Sequence, residues 1–120
     1  MGVNVSIDGV RELRERAAQM SEEISERLRG AVGEAGEAVR DGARQRVPQD
    51  SGALHDGIEV VTAEDGFVAE IGPRDPELYY GVFIEHGTSR RQAVPYMFPA
   101  SEDERVRLPA RLRRSVSDLK

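Results

Sequence analysis

The stretch Leu54–Pro73, LHDGIEVVTAEDGFVAEIGP, reads as the clearest β-hairpin in the chain and requires that the fold contain a sheet. Along the run Leu54 to Ala63, Ile58 and Val60 share one face and Val61 points to the other, because successive side chains of a strand alternate between faces. Glu64-Asp65-Gly66 supplies the turn, since Asp-Gly between two alternating apolar runs is a strong hairpin signal. Phe67, Ala69 and Ile71 then alternate with Val68 and Glu70 on the returning strand, which Gly72-Pro73 stops. The hairpin thus spans about 54–72, and Arg74-Asp75-Pro76-Glu77 follows as a polar loop.

Upstream, Val3, Val5 and Ile7 alternate with small polar residues as in a short first strand. Asp8 is placed to cap a helix, and from Val10 the period changes. Leu13, Ala17, Met20, Ile24, Leu28, Ala31, Ala35 and Val39 recur every three or four residues with charges between them. This predicts one long amphipathic helix over about 10–46. Gly30, Gly33, Gly36 and Gly42 each cost this helix roughly 0.5–1 kcal/mol relative to alanine. They allow a bend near Gly30–Gly36 and leave small surfaces that another backbone can approach closely. Pro48 ends the helix, and Gln49-Asp50-Ser51-Gly52 reads as a turn.

Downstream, Leu78–Glu85 is too apolar for an exposed loop and predicts a short helix ending at His86-Gly87. Residues 87–95, carrying Arg90 and Arg91, form a polar loop. Pro95 and Pro99 bracket Tyr96, Met97 and Phe98, which return to the core on an extended segment. A C-terminal helix follows over about 100–119, with Ser101 and Glu104 as a capping box and Pro109 as an interruption. The expected fold class is α+β: a long N-terminal helix and a C-terminal helix packed on a small, mainly antiparallel sheet, in a single domain over 1–120.

A chain of 120 residues with three Tyr, three Phe and no Trp can bury one modest core, and so few large rings suggest that partners complete its apolar burial. The absence of cysteine excludes disulfides, dithiol redox sites and thiolate zinc. No apolar run approaches the roughly 20 residues needed to cross a bilayer, and MGVNVSIDG lacks the basic leader and apolar core of a signal peptide. No membrane association is expected, and the chain should be made and assembled inside a cell. Its net charge of -5 is uneven. Residues 51–100 hold three basic and eight acidic side chains, whereas residues 101–120 hold six basic and four acidic. A cationic tail on an acidic body suits complementary contact between neighbouring copies.

Chemistry is sparse. His55 and His86 lie beside Asp56 and Glu85, without the spacing of a zinc motif. Ser51 lies in QDSG, but no GxSxG elbow is present. The glycines at 30, 33 and 36 lie inside a helical period and do not make a phosphate loop. A small hydrolase would have to use His86 with Glu85 or Ser51. A nucleic-acid-binding accessory would use Arg105, Arg107, Arg111, Arg113, Arg114 and Lys120 with the Arg90–Arg91 loop.

Three segments carry a resemblance: VPQDSGAL (47–54), YYGVFIEHGTS (79–89) and VPYMFPA (94–100). In order and spacing they are similar to a family of small siphophage tail-component proteins, the tail-completion or head–tail joining proteins of the neck. On that pattern sit Ser51, Gly52, Leu54, Tyr80, Glu85, Gly87, Thr88, Pro95, Tyr96, Pro99 and Ala100. Tyr96 stands where the pattern has phenylalanine, so its hydroxyl needs a partner. The resemblance implies a structural virion protein in the head–tail connector or neck, made in the host cytoplasm. It implies assembly into a ring with itself and with neighbouring neck and tail proteins, no cofactor, no metal and no enzymatic reaction. Tail termination or a tube-associated ring is the alternative within that class. Basic side chains lining a DNA conduit would stand near genomic DNA without reading it. The motif residues are then fold and assembly determinants, with Glu85 expected to accept hydrogen bonds from the Gly87–Ser89 backbone and pin the loop at Thr88. The basic loop residues Arg90 and Arg91 join them as candidates for an assembly contact.

Overall fold

The computed structural model describes residues 3–7, 21–48 and 51–118. In chain order the elements are β1 (Val5–Ile7), α1 (Glu22–Arg46), α2 (Gly52–Gly57), β2 (Ile58–Ala63), β3 (Val68–Pro73), α3 (Gly81–His86) and α4 (Met97–Ser115). The strands form an antiparallel sheet in the order β1-β3-β2. Helices packed on one face of this sheet make an α+β fold, the class the sequence predicts.

The predicted hairpin is present, with Ala63 opposite Val68 and Ile58 opposite Pro73. Its turn is a 3₁₀ turn over Glu64–Gly66 in which Glu64, Asp65 and Gly66 all have positive φ. The predicted first strand pairs Val5 with Ile71 and Ile7 with Ala69. Because paired residues point to the same face, Val5, Ile7, Val60, Ala69 and Ile71 share one side. The core lies there, under Leu28, Val32, Ala35 and Val39 of α1. A Cβ built on Gly36 would lie 2.9 Å from Val60 Cγ1 and 3.0 Å from Ala69 Cβ. The approach expected of another backbone is made here by side chains of the same chain's sheet. The opposite face carries Ser6, Glu59, Val61, Ala63 and Glu70. On it Ser6, Glu59 and Glu70 are exposed, while Val68, which pairs with Ala63, is buried.

Helix α4 runs antiparallel to α1. Its small residue Ala100 sits against Gly42, with 3.4 Å between Ala100 Cβ and a Cβ built at Gly42. Arg46 meets Asp103 at 2.7 Å, and Arg27 meets Asp118 at 3.1 Å at the other end of the pair.

Several element boundaries differ from expectation. The helix predicted over about 10–46 does not run through Ser21, which is extended at ψ 150° and caps α1 by accepting from the Ile24 N–H at 3.2 Å. Glu22 and Glu23 follow in the first turn, where negative charge favours a helix start. Asp8, the predicted start near Val10, and Leu13, Ala17, Met20, Gln49, Asp50 and Leu119 lie outside the described residues. From Glu22 to Arg46 the helix is continuous through Gly30–Gly36. Leu54 does not open the hairpin but is buried in α2. Arg44 holds α2 and the start of β2 to α1, donating through Nε to the His55 carbonyl at 3.0 Å and through Nη2 to that of Ile58 at 3.2 Å.

Helix α4 begins at Met97, not at 100, so Tyr96–Phe98 is not an extended segment. Pro99 falls in its first turn, where a missing N–H costs nothing. Pro109 lies inside α4 without ending it. The expected capping box does not form: Ser101 Oγ donates to the Phe98 carbonyl at 2.8 Å, and Glu104 pairs with Arg111.

Candidate functional site

The apolar run of α3 turns Ile84 and Glu85 inward. Glu85 Oε1 accepts from the backbone N–H groups of Tyr96 at 3.0 Å and Met97 at 2.8 Å, and Oε2 accepts from that of Phe98 at 3.1 Å. The N–H groups of Met97 and Phe98 open α4, where a helix leaves donors without intrahelical partners. A carboxylate eleven to thirteen residues upstream therefore caps α4 and opposes the positive end of its dipole. Burial of Glu85 is tolerated because both oxygens are bonded. This corrects the expectation that Glu85 would bind the Gly87–Ser89 backbone. The Gly87 N–H is already spent on the Phe83 carbonyl at 2.8 Å, and the Thr88 N–H on the Arg91 carbonyl at 2.9 Å.

Tyr96 is fully buried and its hydroxyl donates to the Gly81 carbonyl at 3.1 Å, which supplies the partner that the sequence demanded. A Cβ on Gly81 would lie 2.6 Å from that hydroxyl and 3.2 Å from Leu54 Cδ1. Desolvation first, and then the charge of Glu85, push the Tyr96 phenol well above its ordinary value and keep it a neutral donor. Leu54, Gly81, Glu85 and Tyr96 thus bring all three motif segments to one buried node.

Gly87 closes α3 at φ 77°, in the left-handed region that favours glycine. A Cβ there would also lie 2.8 Å from the Ala93 nitrogen. The loop folds back over this point, and its Val94 N–H donates to the Ile84 carbonyl at 2.8 Å. The Thr88 side chain holds only the loop itself, accepting from the Arg90 N–H at 3.2 Å. Arg90, Arg91 and Pro95 are exposed, Pro99 and Tyr80 half-buried, and Ala100 buried against α1. Ser51 makes no side-chain cap bond, and Gly52 faces open space. Ser51, Gly52, Thr88, Arg90, Arg91 and Pro95 therefore lie outside the node.

Several charged contacts escaped the sequence reading, and two of them fix the fold around the node's neighbours. One is the Arg44 fork described above. The other joins buried Glu104 to Arg111, with Nε to Oε2 at 2.7 Å and Nη2 to Oε1 at 2.9 Å, and with Glu34 3.7 Å from Arg111. The hydrogen bonds that Arg111 donates to Glu104 raise its pKa further. Seven residues separate this pair on α4, and the bridge spans Pro109. Arg111 is consequently committed inside the fold and is not a member of a free basic tail.

His86 is exposed, and its neighbour Glu85 has both oxygens occupied, so a hydrolytic His86–Glu85 pair does not form. His55 meets only Asp56, at 2.8 Å on the surface. A groove of about 510 Å³ between β1 and α4 is lined, among the described residues, by Val5, Ser6, Ile7, Phe98, Ser101, Arg105 and Leu108, with no carboxylate or imidazole among them. Among the described residues no three His, Cys, Asp or Glu side chains converge to hold a metal, and no helix is long and apolar enough to cross a membrane.

The model of one protein family, described as "Bacteriophage HK97-gp10, putative tail-component", matches residues 11–87, nearly two thirds of the chain. The chain belongs to this family. No curated protein and no solved structure matches it significantly. The match contains the first motif segment and the second as far as Gly87, so Thr88, Ser89 and Pro95–Ala100 lie beyond it. In this tail component the Glu85 carboxylate physically ties that outlying segment to the matched region. Family membership gives the chain a structural role in a phage tail.

Proposed function

We propose that the chain is a ring-forming component of the head–tail connection that joins or completes the tail, contacting its own copies and neighbouring neck and tail proteins. The observation that carries this reading is the placement of its aromatic residues. Three of the six are solvent-exposed, Tyr79 at 70%, Phe98 at 62% and Phe83 at 49%. A domain with so few large rings does not ordinarily leave half of them in water, and aromatic residues are enriched at protein interfaces. Membership of a tail-component family supplies the setting. Residues 1–120 act as one domain in this reading, and the buried motif residues hold the shape that the exposed ones use. Direct DNA binding is the weaker reading, because Arg111 is bound to Glu104 and the body of the chain is acidic.

A reconstruction of the neck in assembled particles tests the proposal. Density for this chain in a ring between head and tail tube is expected. Its location along the tube or at the distal tip would overturn the assignment.

A further inference from the structure

We propose that successive copies associate by laying the outer face of α4 on the face of the β-sheet opposite α1 in the next copy. This rests on the ring reading above and specifies its contact. The inner side of α4 is buried at Met97, Ala100, Glu104 and Leu108, with Ala100 against Gly42 and Arg111 beside Glu34 of α1. Its outer side presents Val106, 82% exposed, with Pro109, Ala110 and Arg113 at helical spacing and Arg107 and Arg114 beside them. From Arg105 to Ser117 there is no acidic residue, and no ion pair involves Arg107, Arg113 or Arg114 among the described residues.

The sheet offers the complement. On its face opposite α1, Val61 and Ala63 are half-buried beside buried Val68, Glu59 and Glu70 are exposed, and Glu64 and Asp65 stand at the adjoining turn. That face carries no basic residue. A helix with one apolar stripe and arginine flanks fits an apolar strip with glutamate flanks, and such a pairing gives the sheet a second layer. The two surfaces belong to different elements, so the contact is head-to-tail and not two-fold. That is the geometry which generates rings when the rotation closes. Opposite charge selects a second copy over an unrelated partner.

The absence of cysteine makes the test direct. Full-length chains carrying Val61→Cys and Val106→Cys are mixed and treated with a short bis-maleimide cross-linker. The mixture should give a joined dimer, while either variant alone should not. Sedimentation should show that Glu59→Arg with Glu70→Arg weakens self-association about a hundredfold, since like charges are costly at a contact. Adding Arg107→Glu and Arg113→Glu to the same chain should restore it. An oligomer that forms without joining the mixed pair and ignores the charge reversals overturns this contact and leaves the ring reading standing. Efficient self-joining of Val106→Cys overturns it in favour of a two-fold contact. A chain that neither associates nor cross-links at any concentration, and is absent from purified tails, overturns both.

Discussion

Glu85 and Tyr96 show how much of the fold rests on single polar atoms. Replacing Glu85 with alanine leaves three backbone donors without a partner in a buried site. Each such donor is costly, so a loss of about 3 kcal/mol or more is expected. Glu85→Gln keeps one oxygen acceptor without the charge and should lose about 1–2 kcal/mol. Urea unfolding of the two variants beside wild type checks the order, and a Glu85→Gln variant as stable as wild type would refute a role for the second oxygen. Tyr96→Phe should cost about 1 kcal/mol at neutral pH, one neutral hydrogen bond. The sign of its pH dependence follows from the raised pKa. Burial holds the folded phenol above its ordinary value of 10.0, so the unfolded chain ionises first as pH rises. The stabilising contribution is complete below about pH 10 and is lost above it. The wild type should therefore weaken in alkali more steeply than Tyr96→Phe, as measured by unfolding at a series of pH values.

Among whole elements, α1 separates glycines that the fold uses from glycines that it does not. Gly30 and Gly33 have nothing within 4 Å of a built Cβ, whereas Gly36 meets Val60 and Ala69. Gly30→Ala and Gly33→Ala should each raise stability by about 0.5–1 kcal/mol. Gly36→Ala should lower it by about 1 kcal/mol or more, because overpacking outweighs the gain in helix propensity. Thermal unfolding of the three variants checks the pattern, and a gain at Gly36 would mean that the sheet moves aside freely. No contact among the described residues explains why positions 30 and 33 are glycine. The same elements show what sequence alone can reach. The hairpin, β1, the apolar face of α1 and the short α3 were readable because each is written in a local period or turn. Helix α2 was not, since its six residues lie between turn-forming signals and are held from α1 by Arg44. The start of α4 was missed for a related reason. Its cap is Glu85, distant in sequence, while Pro99 suggests a boundary that the first turn of a helix does not impose. The node was partly readable, as a set of motif residues whose partners only the folded chain reveals.

For the molecule as a whole, the question is which surfaces a tail component leaves for other proteins. Tyr79 and Phe83 lie one turn apart, their rings edge-to-face with centroids 6.5 Å apart, and Tyr79 also meets Tyr80 at 6.2 Å. Packing between exposed rings recovers little of what burial in an interface would give. Complete burial of an aromatic side chain contributes roughly 1.5–3 kcal/mol, which two rings together would place among the strong contacts of an assembly. Neither exposed ring is part of the buried node, and both lie apart from the α4 face proposed to contact the next copy. Tyr79→Ser with Phe83→Ser should therefore leave the unfolding midpoint within about 1 kcal/mol of wild type. The same double variant should fail to join tails when supplied to particles lacking the wild-type chain, with self-association measured by sedimentation unchanged. That combination would assign the aromatic surface to a neighbouring tail or neck protein. Loss of self-association would assign it to the contact between copies. Normal tail joining would show that the exposed rings are dispensable and remove the observation on which the proposed role chiefly rests.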